Sequence, residues 1–172
     1  MGPNMSVSRK GVTGGSALRP ANPPDLDVWV GRAGEEALSE VDEIAREALP
    51  EHWSRAQLGQ SLRAGYELRV CRFQGRIVAY LLSQDVVDET HIMQLAVRRA
   101  WRRRGMASVL LQCLKRDKRH QRAICLEVRA SNEAARALYL RRGFELLARR
   151  PGYYQPRAGK LREDALLMRC AL

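Results

Sequence analysis

Three β-rich runs follow one another at the centre of the chain, and they constrain the fold more than any other feature. Residues 66–73 and 76–83 lie on either side of Gln74-Gly75, a dipeptide typical of a hairpin turn. Residues 90–97 form a third run of the same kind. Strands joined by such short connections pair antiparallel, because a parallel crossover needs a dozen or more residues. The sequence therefore predicts a sheet whose centre is antiparallel.

Helical patterns and shorter strand patterns surround this central part. The predicted helices are residues 35–49, 54–64, 105–119 and 132–142. Ser54 is a favourable N-cap, and Pro50, Gly65 and Gly143 lie where helices are expected to end. The shorter predicted strands are residues 28–30, 123–128, 144–147 and 165–168. The expected fold class is therefore α+β, a mixed and mostly antiparallel sheet with helices on both faces.

Residues 1–27 differ from the rest of the chain. A glycine-rich stretch at 11–16 and a proline-rich run at 20–24 offer neither periodicity nor an apolar face. We expect a disordered leader over residues 1–27 and a single domain over residues 28–172. No window approaches the ~18–20 apolar residues of a membrane span, and the first thirty residues lack the apolar stretch of a secretory signal. A cytoplasmic protein without a membrane partner is expected.

The cysteines and the net charge limit which metals and macromolecular partners are expected. The 4 cysteines are scattered singly, outside any Cys-x-x-Cys pair and not at metal-ligand spacing from a histidine, so we expect buried thiols and neither a metal nor a disulfide. The net charge of +11 favours anionic partners such as phosphates, nucleic acid or the ribosomal surface. Association with the ribosome is compatible with this charge, whereas a direct role on DNA is not expected.

A strand, a basic turn and the start of a helix follow one another at residues 95–107. The turn contains Arg102, Arg103 and Arg104, and Gly105 precedes the helix. The first turn of a helix presents unpaired backbone N–H groups and a partial positive charge, and small residues let a pyrophosphate approach them closely. Taken alone, the pattern fits a phosphate-binding loop and a solvated basic turn equally well.

Ordered motifs between residues 28 and 168 resemble those of a known family. Arg102-x-x-Gly105-x-Ala107 matches the acyl-CoA motif of the GNAT superfamily, Gln/Arg-x-x-Gly-x-Gly/Ala. The motifs similar to the bacterial ribosomal-protein alanine N-acetyltransferases (the RimI group) are Leu126-Glu127-Val128-Arg129-Ala130-Ser131-Asn132, Ala137-Leu138-Tyr139, Arg142-Gly143-Phe144, Tyr153-Tyr154 and Arg162-Glu163-Asp164-Ala165. One departure is Arg98-Arg99-Ala100, which stands where the family has Asp-Pro and is expected to add charge near the phosphates.

The resemblance implies the GNAT acyl-CoA N-acyltransferase fold, with acetyl-CoA as co-substrate and no metal. In that fold two strands, here those of Leu95 and Leu126, splay apart and hold the pantetheine arm between them. The residues that the resemblance assigns to acetyl-CoA are Leu95, Ala96, Val97, Arg103, Arg104, Gly105, Met106, Ala107, Ser108 and Asn132.

Two side chains are the candidates for proton transfer. Glu127 is the one charged residue in the run 123–128, and the resemblance implies a general base acting through a water. The alternative for Glu127 is a pair with a nearby arginine at an exposed strand end. The resemblance implies that Tyr139 protonates the departing CoA thiolate, whereas a tyrosine within a helix otherwise most often fills the core. No cysteine is needed as an acyl carrier, so direct transfer is expected.

The expected acceptor is the amino terminus of a protein. An α-amino group has a pKa of ~8 and lysine one of ~10.4, so neutralising lysine is harder by ~3 kcal/mol. The resemblance implies the alanine terminus of a ribosomal protein, small-subunit protein number eighteen, with Trp53, Tyr153 and Tyr154 beside the acceptor. Acidic residues concentrate between Glu35 and Glu51. We hypothesise that they attract a basic amino-terminal segment; a solvated helix face is the alternative.

Two other functions remain compatible with the sequence. One is acetylation of protein lysines or of a small amine by the same chemistry. The other, from a different class, is a non-catalytic basic module that docks on the ribosome or on RNA. The chain lacks the interleaved aromatic residues of a nucleic-acid stacking surface, which speaks against the second.

Overall fold

The computed structural model describes residues 28–155 and 161–172. The strands are β1 (Val28–Ala33), β2 (Glu67–Phe73), β3 (Arg76–Val86), β4 (Glu89–Val97), β5 (Ala123–Arg129), β6 (Glu145–Tyr154) and β7 (Glu163–Ala171). The α-helices are α1 (Leu38–Ala48), α2 (Arg55–Arg63), α3 (Met106–Asp117) and α4 (Glu133–Arg141). The leader predicted for residues 1–27 lies outside the described residues. Among the residues described, no helix has both the length and the apolar character needed to cross a bilayer.

The strands form one sheet in the order β1-β2-β3-β4-β5-β7-β6. Neighbouring strands pair antiparallel except β4 and β5, which are parallel and are connected through α3. The hairpin between β2 and β3 turns at Gln74 and Gly75, whose φ angles of 48° and 79° are those of a tight turn with left-handed central residues. The predicted mixed, mostly antiparallel sheet is confirmed.

The parallel pair β4–β5 separates after a few residues. β4 pairs with β5 over residues 89–92, opposite residues 123–126. Beyond this point β4 continues to Val97 beside β3, and β5 continues to Arg129 beside β7. The sheet therefore has a V-shaped opening between the carboxyl-terminal ends of β4 and β5, as the family resemblance implied.

Helices pack on both faces of the sheet. One core joins α1 and α2 to the sheet, and the other joins α3 and α4 to the opposite face. Successive residues of β3 alternate between them, because strand side chains point to opposite faces: Tyr80 packs in the first core and Leu81 in the second. Leu110 of α3 is fully buried, so truncating it to alanine would cost about 2–5 kcal/mol. This packing fixes α3 beside the opening.

The helix ends follow the local sequence. Ser54 caps α2: its hydroxyl accepts from the Gln57 N–H at 3.3 Å, and the Gln57 side chain accepts from the Ser54 N–H at 2.9 Å. Gly143 follows α4 with φ of 80°, a conformation that glycine adopts without steric cost. The predicted helix start at Ser54 and helix end at Gly143 are confirmed.

The carboxyl-terminal hairpin is longer than the sequence predicts. Instead of two short strands at 144–147 and 165–168, β6 and β7 extend over 10 and 9 residues. β6 is the edge strand and is mostly exposed, with charged residues such as Arg149 and Arg150, so it lacks the alternating pattern of a half-buried strand. Tyr153 and Tyr154 lie at the end of β6.

Candidate active site

A cavity of about 510 Å³, the first cavity, lies where β4 and β5 separate. The predicted acetyl-CoA residues that line it are Leu95, Ala96, Val97, Arg103, Gly105, Met106, Ala107, Ser108 and Asn132. Residues that the sequence did not assign to the cofactor also line it: Trp101, Arg102, Leu138 and Arg141. The free edge of β4 and the start of α3 therefore face one space.

α3 begins at this cavity without a side-chain cap. Its N-cap residue, Gly105, has φ of 83°, a left-handed conformation. The first N–H bonded within the helix is that of Val109, which donates to the Gly105 carbonyl at 3.0 Å. The N–H groups of Met106, Ala107 and Ser108 therefore lack a partner within the helix. Together with the positive end of the helix dipole, these donors suit a phosphate group.

The arginines near the start of α3 differ in whether they line the first cavity. Arg102, Arg103 and Arg141 line the first cavity. Arg104 is not among the residues that line it; its guanidinium lies 5.2 Å from the centre of the Trp101 ring, a cation–π distance. Arg103 thus lines the cavity and Arg104 does not, and the assignment of both residues to acetyl-CoA stays a prediction.

Arg98 and Arg99 are not among the residues that line the first cavity. Arg98 donates to the Glu43 carboxylate at 3.0 Å and to the Ile77 carbonyl at 3.0 Å, and the Arg99 N–H bonds to Glu47. These contacts tie the turn after β4 to α1. The guanidinium of Arg98 is therefore paired with a carboxylate of α1, and the expectation that the pair adds charge near the phosphates stays a prediction.

A second cavity, of about 400 Å³, adjoins the first. The two share the lining residues Leu49, Leu95, Asn132 and Ala135. Glu127 of β5 and Tyr139 of α4 both line the second cavity, although they lie in different elements. The opening in the sheet thus places both candidate proton-transfer groups next to the predicted cofactor site.

Glu127 lies on the face of β5 opposite to the core of α3 and α4. Its neighbours Leu126 and Val128 pack into that core, so its own side chain points the other way. Because the sheet is open beside β5, Glu127 still reaches the same cavity as Tyr139. Its carboxylate, 28% exposed, accepts a hydrogen bond from Arg150 of β6, which is 52% exposed. Glu127 therefore both faces a cavity and pairs with an arginine, so the two sequence interpretations coexist.

Tyr139 is buried, and its ring packs against Phe144 with the ring centroids 5.6 Å apart. Burial raises the pKa of the Tyr139 hydroxyl above its ordinary value, and the neighbouring Tyr154 adds to the shift. The phenol therefore stays protonated at neutral pH, as a proton donor must. Within residues 28–155 and 161–172 its hydroxyl has no hydrogen-bond partner, so the ring fills the core while the hydroxyl remains available to the cavity.

Two of the three residues predicted to contact the acceptor line the second cavity. Tyr154 and Trp53 line the second cavity, and the Trp53 ring meets Tyr66 edge-on at 6.0 Å. Tyr153 is not among the lining residues; it is 48% exposed, and its ring lies across that of Tyr154 at 5.2 Å. Burial and the nearby Glu127 carboxylate raise the pKa of Tyr154 to about 12.

Arg129, which the sequence did not single out, connects the walls of the second cavity. It is 9% exposed, donates to Glu163 of β7 at 2.9 Å and pairs with Glu51 beyond α1. Its guanidinium also lies 4.1 Å from the centre of the Tyr154 ring. Glu163 in turn accepts from the Ser131 N–H at 2.7 Å. A single buried cation thus joins the segment after α1, the turn after β5 and the hairpin of β6 and β7.

Residues 35–144, more than half of the chain, match the model of the Acetyltransferase (GNAT) family. The chain belongs to this family. GNAT membership agrees with the seven-stranded, mostly antiparallel sheet and with the opening between β4 and β5.

Within the GNAT family, the chain is similar to several named N-acetyltransferases. The chain is 40% identical over 96 residues to the ribosomal protein bS18-alanine N-acetyltransferase of Escherichia coli strain K12; the match spans 55% of this chain and 64% of that protein. It is 32% identical over 136 residues to the protein of the same name from Haemophilus ducreyi, of which the match covers 93%. The crystal structure of the Escherichia coli ribosomal-protein-S18-alanine N-acetyltransferase superposes with a TM-score of 0.78 at 29% identity, covering 84% of this chain and 93% of that one.

The acidic residues between Glu35 and Glu51 are paired with the chain's own groups. The partners are Arg63 for Glu35, the Gly34 N–H for Glu36, Arg72 and the Ile77 N–H for Glu40, Arg46 for Asp42, Arg98 for Glu43, Arg98 and the Arg99 N–H for Glu47, and Arg129 for Glu51. Of these carboxylates, Glu51 is the one that lines the second cavity. The carboxylates of this stretch are therefore paired in the free protein, and the hypothesis that the stretch attracts a basic acceptor stays a prediction.

Some of the cavity-lining residues that the sequence analysis missed could have been found from local sequence patterns, and others could not. Ala135, Leu138 and Arg141 follow one another at intervals of three residues on α4, so the periodicity of that helix could have grouped Leu138 and Arg141 on one face. Trp101 and Arg129 carried no such signal, because their positions depend on the turn after β4 and on pairs across the sheet.

Proposed function

We propose that this protein transfers an acetyl group from acetyl-CoA to the α-amino group of an amino-terminal alanine, that of small-subunit ribosomal protein eighteen (bS18), in the cytoplasm. The observation that carries the proposal is the junction of the two cavities. The first contains unpaired amides and arginines suited to a diphosphate, and the second contains a carboxylate and a protonated phenol. The names of the relatives from Escherichia coli and Haemophilus ducreyi support the same acceptor.

The first cavity fits the diphosphate and pantetheine of acetyl-CoA. The N–H groups of residues 106–108 would hold the phosphates, with Arg102 and Arg103 beside them. The edge of β4 at residues 95–97, which has no partner on the β5 side, would hold the pantetheine arm by backbone hydrogen bonds. Bound acetyl-CoA supplies an activated acetyl group as a thioester.

Two side chains of the second cavity would move the protons. Glu127 accepts a proton from the acceptor ammonium through a water, which leaves the neutral amine able to attack the thioester carbonyl. The Tyr139 hydroxyl donates its proton to the sulfur as the carbon–sulfur bond breaks, and the attacking nitrogen releases its second proton to solvent, which yields free CoA and the neutral acetylated amine. The phenolate then regains a proton from solvent. No acyl-enzyme is required, so transfer is direct.

The junction also suits an amine at the end of a chain. Glu51 and Glu127 are the acidic residues of the second cavity, and both are bonded to arginines, Arg129 and Arg150. An incoming ammonium can replace Arg150 at Glu127, because Arg150 is 52% exposed and free to move into solvent. An α-ammonium is also easier for the base to deprotonate than a lysine ammonium, because its pKa is lower.

A peptide panel tests the proposal. The full chain is incubated with acetyl-CoA and three peptides: the amino-terminal segment of bS18 beginning with alanine, the same segment with a blocked terminus, and a peptide with one internal lysine. Mass spectrometry is expected to find one added acetyl group, on the α-amine of the first peptide alone. Modification of the blocked or internal-lysine peptide would overturn the acceptor assignment. Absence of acetylation on all three would overturn the proposed activity.

A further inference from the structure

Three metal-ligating side chains meet on the sheet, next to the β4 and β5 residues Ile92 and Leu126 that line the second cavity. His91 and Cys125 are register partners across the parallel strands β4 and β5, and Glu89 lies two residues before His91 on the same face. The donor atoms of Glu89, His91 and Cys125 all lie within 4.8 Å of one another. Distance along the chain conceals this arrangement, because 34 residues separate His91 from its strand partner Cys125.

The spacing of the donor atoms matches a small tetrahedral ion. The Glu89 Oε2 atom lies 3.4 Å from the Cys125 sulfur and 3.8 Å from the His91 Nε2 atom. Zinc bonds of about 2.0–2.3 Å at tetrahedral angles place such ligand atoms roughly 3.3–3.6 Å apart. The two edges that meet at Glu89 therefore differ from those of a zinc site by a few tenths of an ångström, and the edge between the thiol and the imidazole is no longer than 4.8 Å.

The surroundings of the cluster orient its carboxylate. Arg169 of β7 donates to the Glu89 Oε1 atom at 3.1 Å, which leaves Oε2 directed toward the thiol and the imidazole. Metal-bound carboxylates commonly have a second partner of this kind. A thiolate and a carboxylate together balance the charge of a divalent cation, so Arg169 need not leave.

We propose that Glu89, His91 and Cys125 form a binding site for Zn²⁺ or a similar thiophilic divalent cation. The Cys125 thiol releases its proton to solvent as the sulfur–metal bond forms, and the fourth position stays open to water. The bound ion lies on the same face of β5 as Glu127, two residues away, a separation of about 7 Å along a strand. If the proposed function holds, the added positive charge opposes the approach of the acceptor ammonium, so the ion inhibits transfer.

Cobalt titration tests the site independently of any activity. Full-length, tag-free protein is stripped with a chelator and titrated with Co²⁺, which reports thiolate ligation by a charge-transfer band in the near ultraviolet. The band is expected in the wild type, is expected to disappear when Zn²⁺ is added, and is expected to be absent in Cys125→Ser. The half-exposed His91→Gln, which is less able to perturb folding, is expected to weaken binding by about tenfold or more.

The matched controls are Cys113→Ser, which removes a different buried thiol, and His120→Gln, which removes an exposed imidazole that is not one of the three proposed ligands. Both are expected to keep the band. Absence of the band in the wild type, or its persistence in Cys125→Ser, would overturn the site. Peptide acetylation that is insensitive to Zn²⁺ in a protein showing the band would overturn the inhibitory role alone. Absence of acetylation in the metal-free protein would instead overturn the proposed function and leave the metal site standing.

Discussion

Replacing Arg150 by glutamine tests the ion pair that covers the candidate base. In the structure the Arg150 guanidinium bonds to the carboxylate of Glu127, which the proposed mechanism reserves for the acceptor ammonium. Acceptor binding must therefore break this pair. The substitution removes that cost, so the acceptor should bind more tightly to Arg150→Gln than to the wild type.

The exposure of the two partners sets the magnitude. Their side chains are 52% and 28% exposed, so the pair is worth about 0.2–1 kcal/mol, the range of a surface ion pair. At ~1.36 kcal/mol per factor of ten, the KM for the acceptor peptide should fall about 1.4- to 5-fold. The KM for acetyl-CoA should not change, because Arg150 does not line the first cavity. The difference between variant and wild type should shrink at high salt, since ions screen an exposed pair.

Initial rates of CoA release, measured at saturating acetyl-CoA with the peptide varied, give this KM at low and high salt. Arg149→Gln is the matched control, because Arg149 pairs with Asp164 rather than with Glu127; its acceptor KM should stay near that of the wild type. An unchanged or higher acceptor KM in Arg150→Gln would refute the argument that Arg150 competes with the substrate.

The remaining predictions concern the proton-transfer groups, the walls of the second cavity and acid stability. Tyr139→Phe keeps the ring packing and removes the hydroxyl proton, so kcat should fall by a factor of about 10²–10⁴ while the melting temperature stays within a few degrees. An undiminished kcat would show that Tyr139 only fills the core. Glu127→Gln should lower kcat by a similar factor, whereas the exposed Glu145→Gln should not. Arg129→Met should raise the acceptor KM more than the acetyl-CoA KM in steady-state assays, because Arg129 joins walls of the second cavity; equal effects on both would contradict this. The pKa of Glu163 is held at about 2, below its ordinary 4.5, by the hydroxyl and N–H of Ser131 and by Arg129, so its contribution to stability is complete above pH 4.5 and lost as the pH falls toward 2. Urea unfolding across that window should show a steeper loss for the wild type than for Glu163→Gln.

The order of elements followed from local patterns, and most of it was predictable. The runs at 66–73 and 76–83 and the Gln74-Gly75 turn leave little choice but a hairpin, and the structure contains it. The start of α3 after Gly105 was equally clear, because a glycine between a basic turn and an apolar stripe is a strong local signal. The extended hairpin of β6 and β7 was not predictable, since an exposed edge strand needs no alternation of apolar side chains.

Local sequence patterns predicted the lining of the candidate site where sequence neighbours share a wall, whereas Glu127, Tyr139, Trp53 and Tyr154 were assigned from the family resemblance. Residues 95–97 and 105–108 are close along the chain, and they meet in the first cavity as expected. Pairs between distant residues were hidden: Arg150 on Glu127, Arg129 between Glu51 and Glu163, and the grouping of Cys125 with His91 all depend on strand register. Register is fixed by the packing of the whole sheet rather than by any local motif.

A crystal structure of the full chain with CoA linked covalently to an amino-terminal alanine peptide would test the central claim most directly. The account predicts the diphosphate on the first turn of α3, the pantetheine in the opening between β4 and β5, the sulfur within hydrogen-bond reach of the Tyr139 hydroxyl, and the acceptor nitrogen linked to Glu127 through one water. A complex in which the sulfur lies away from Tyr139, or in which Glu127 remains paired with Arg150 and does not face the acceptor nitrogen, would contradict it.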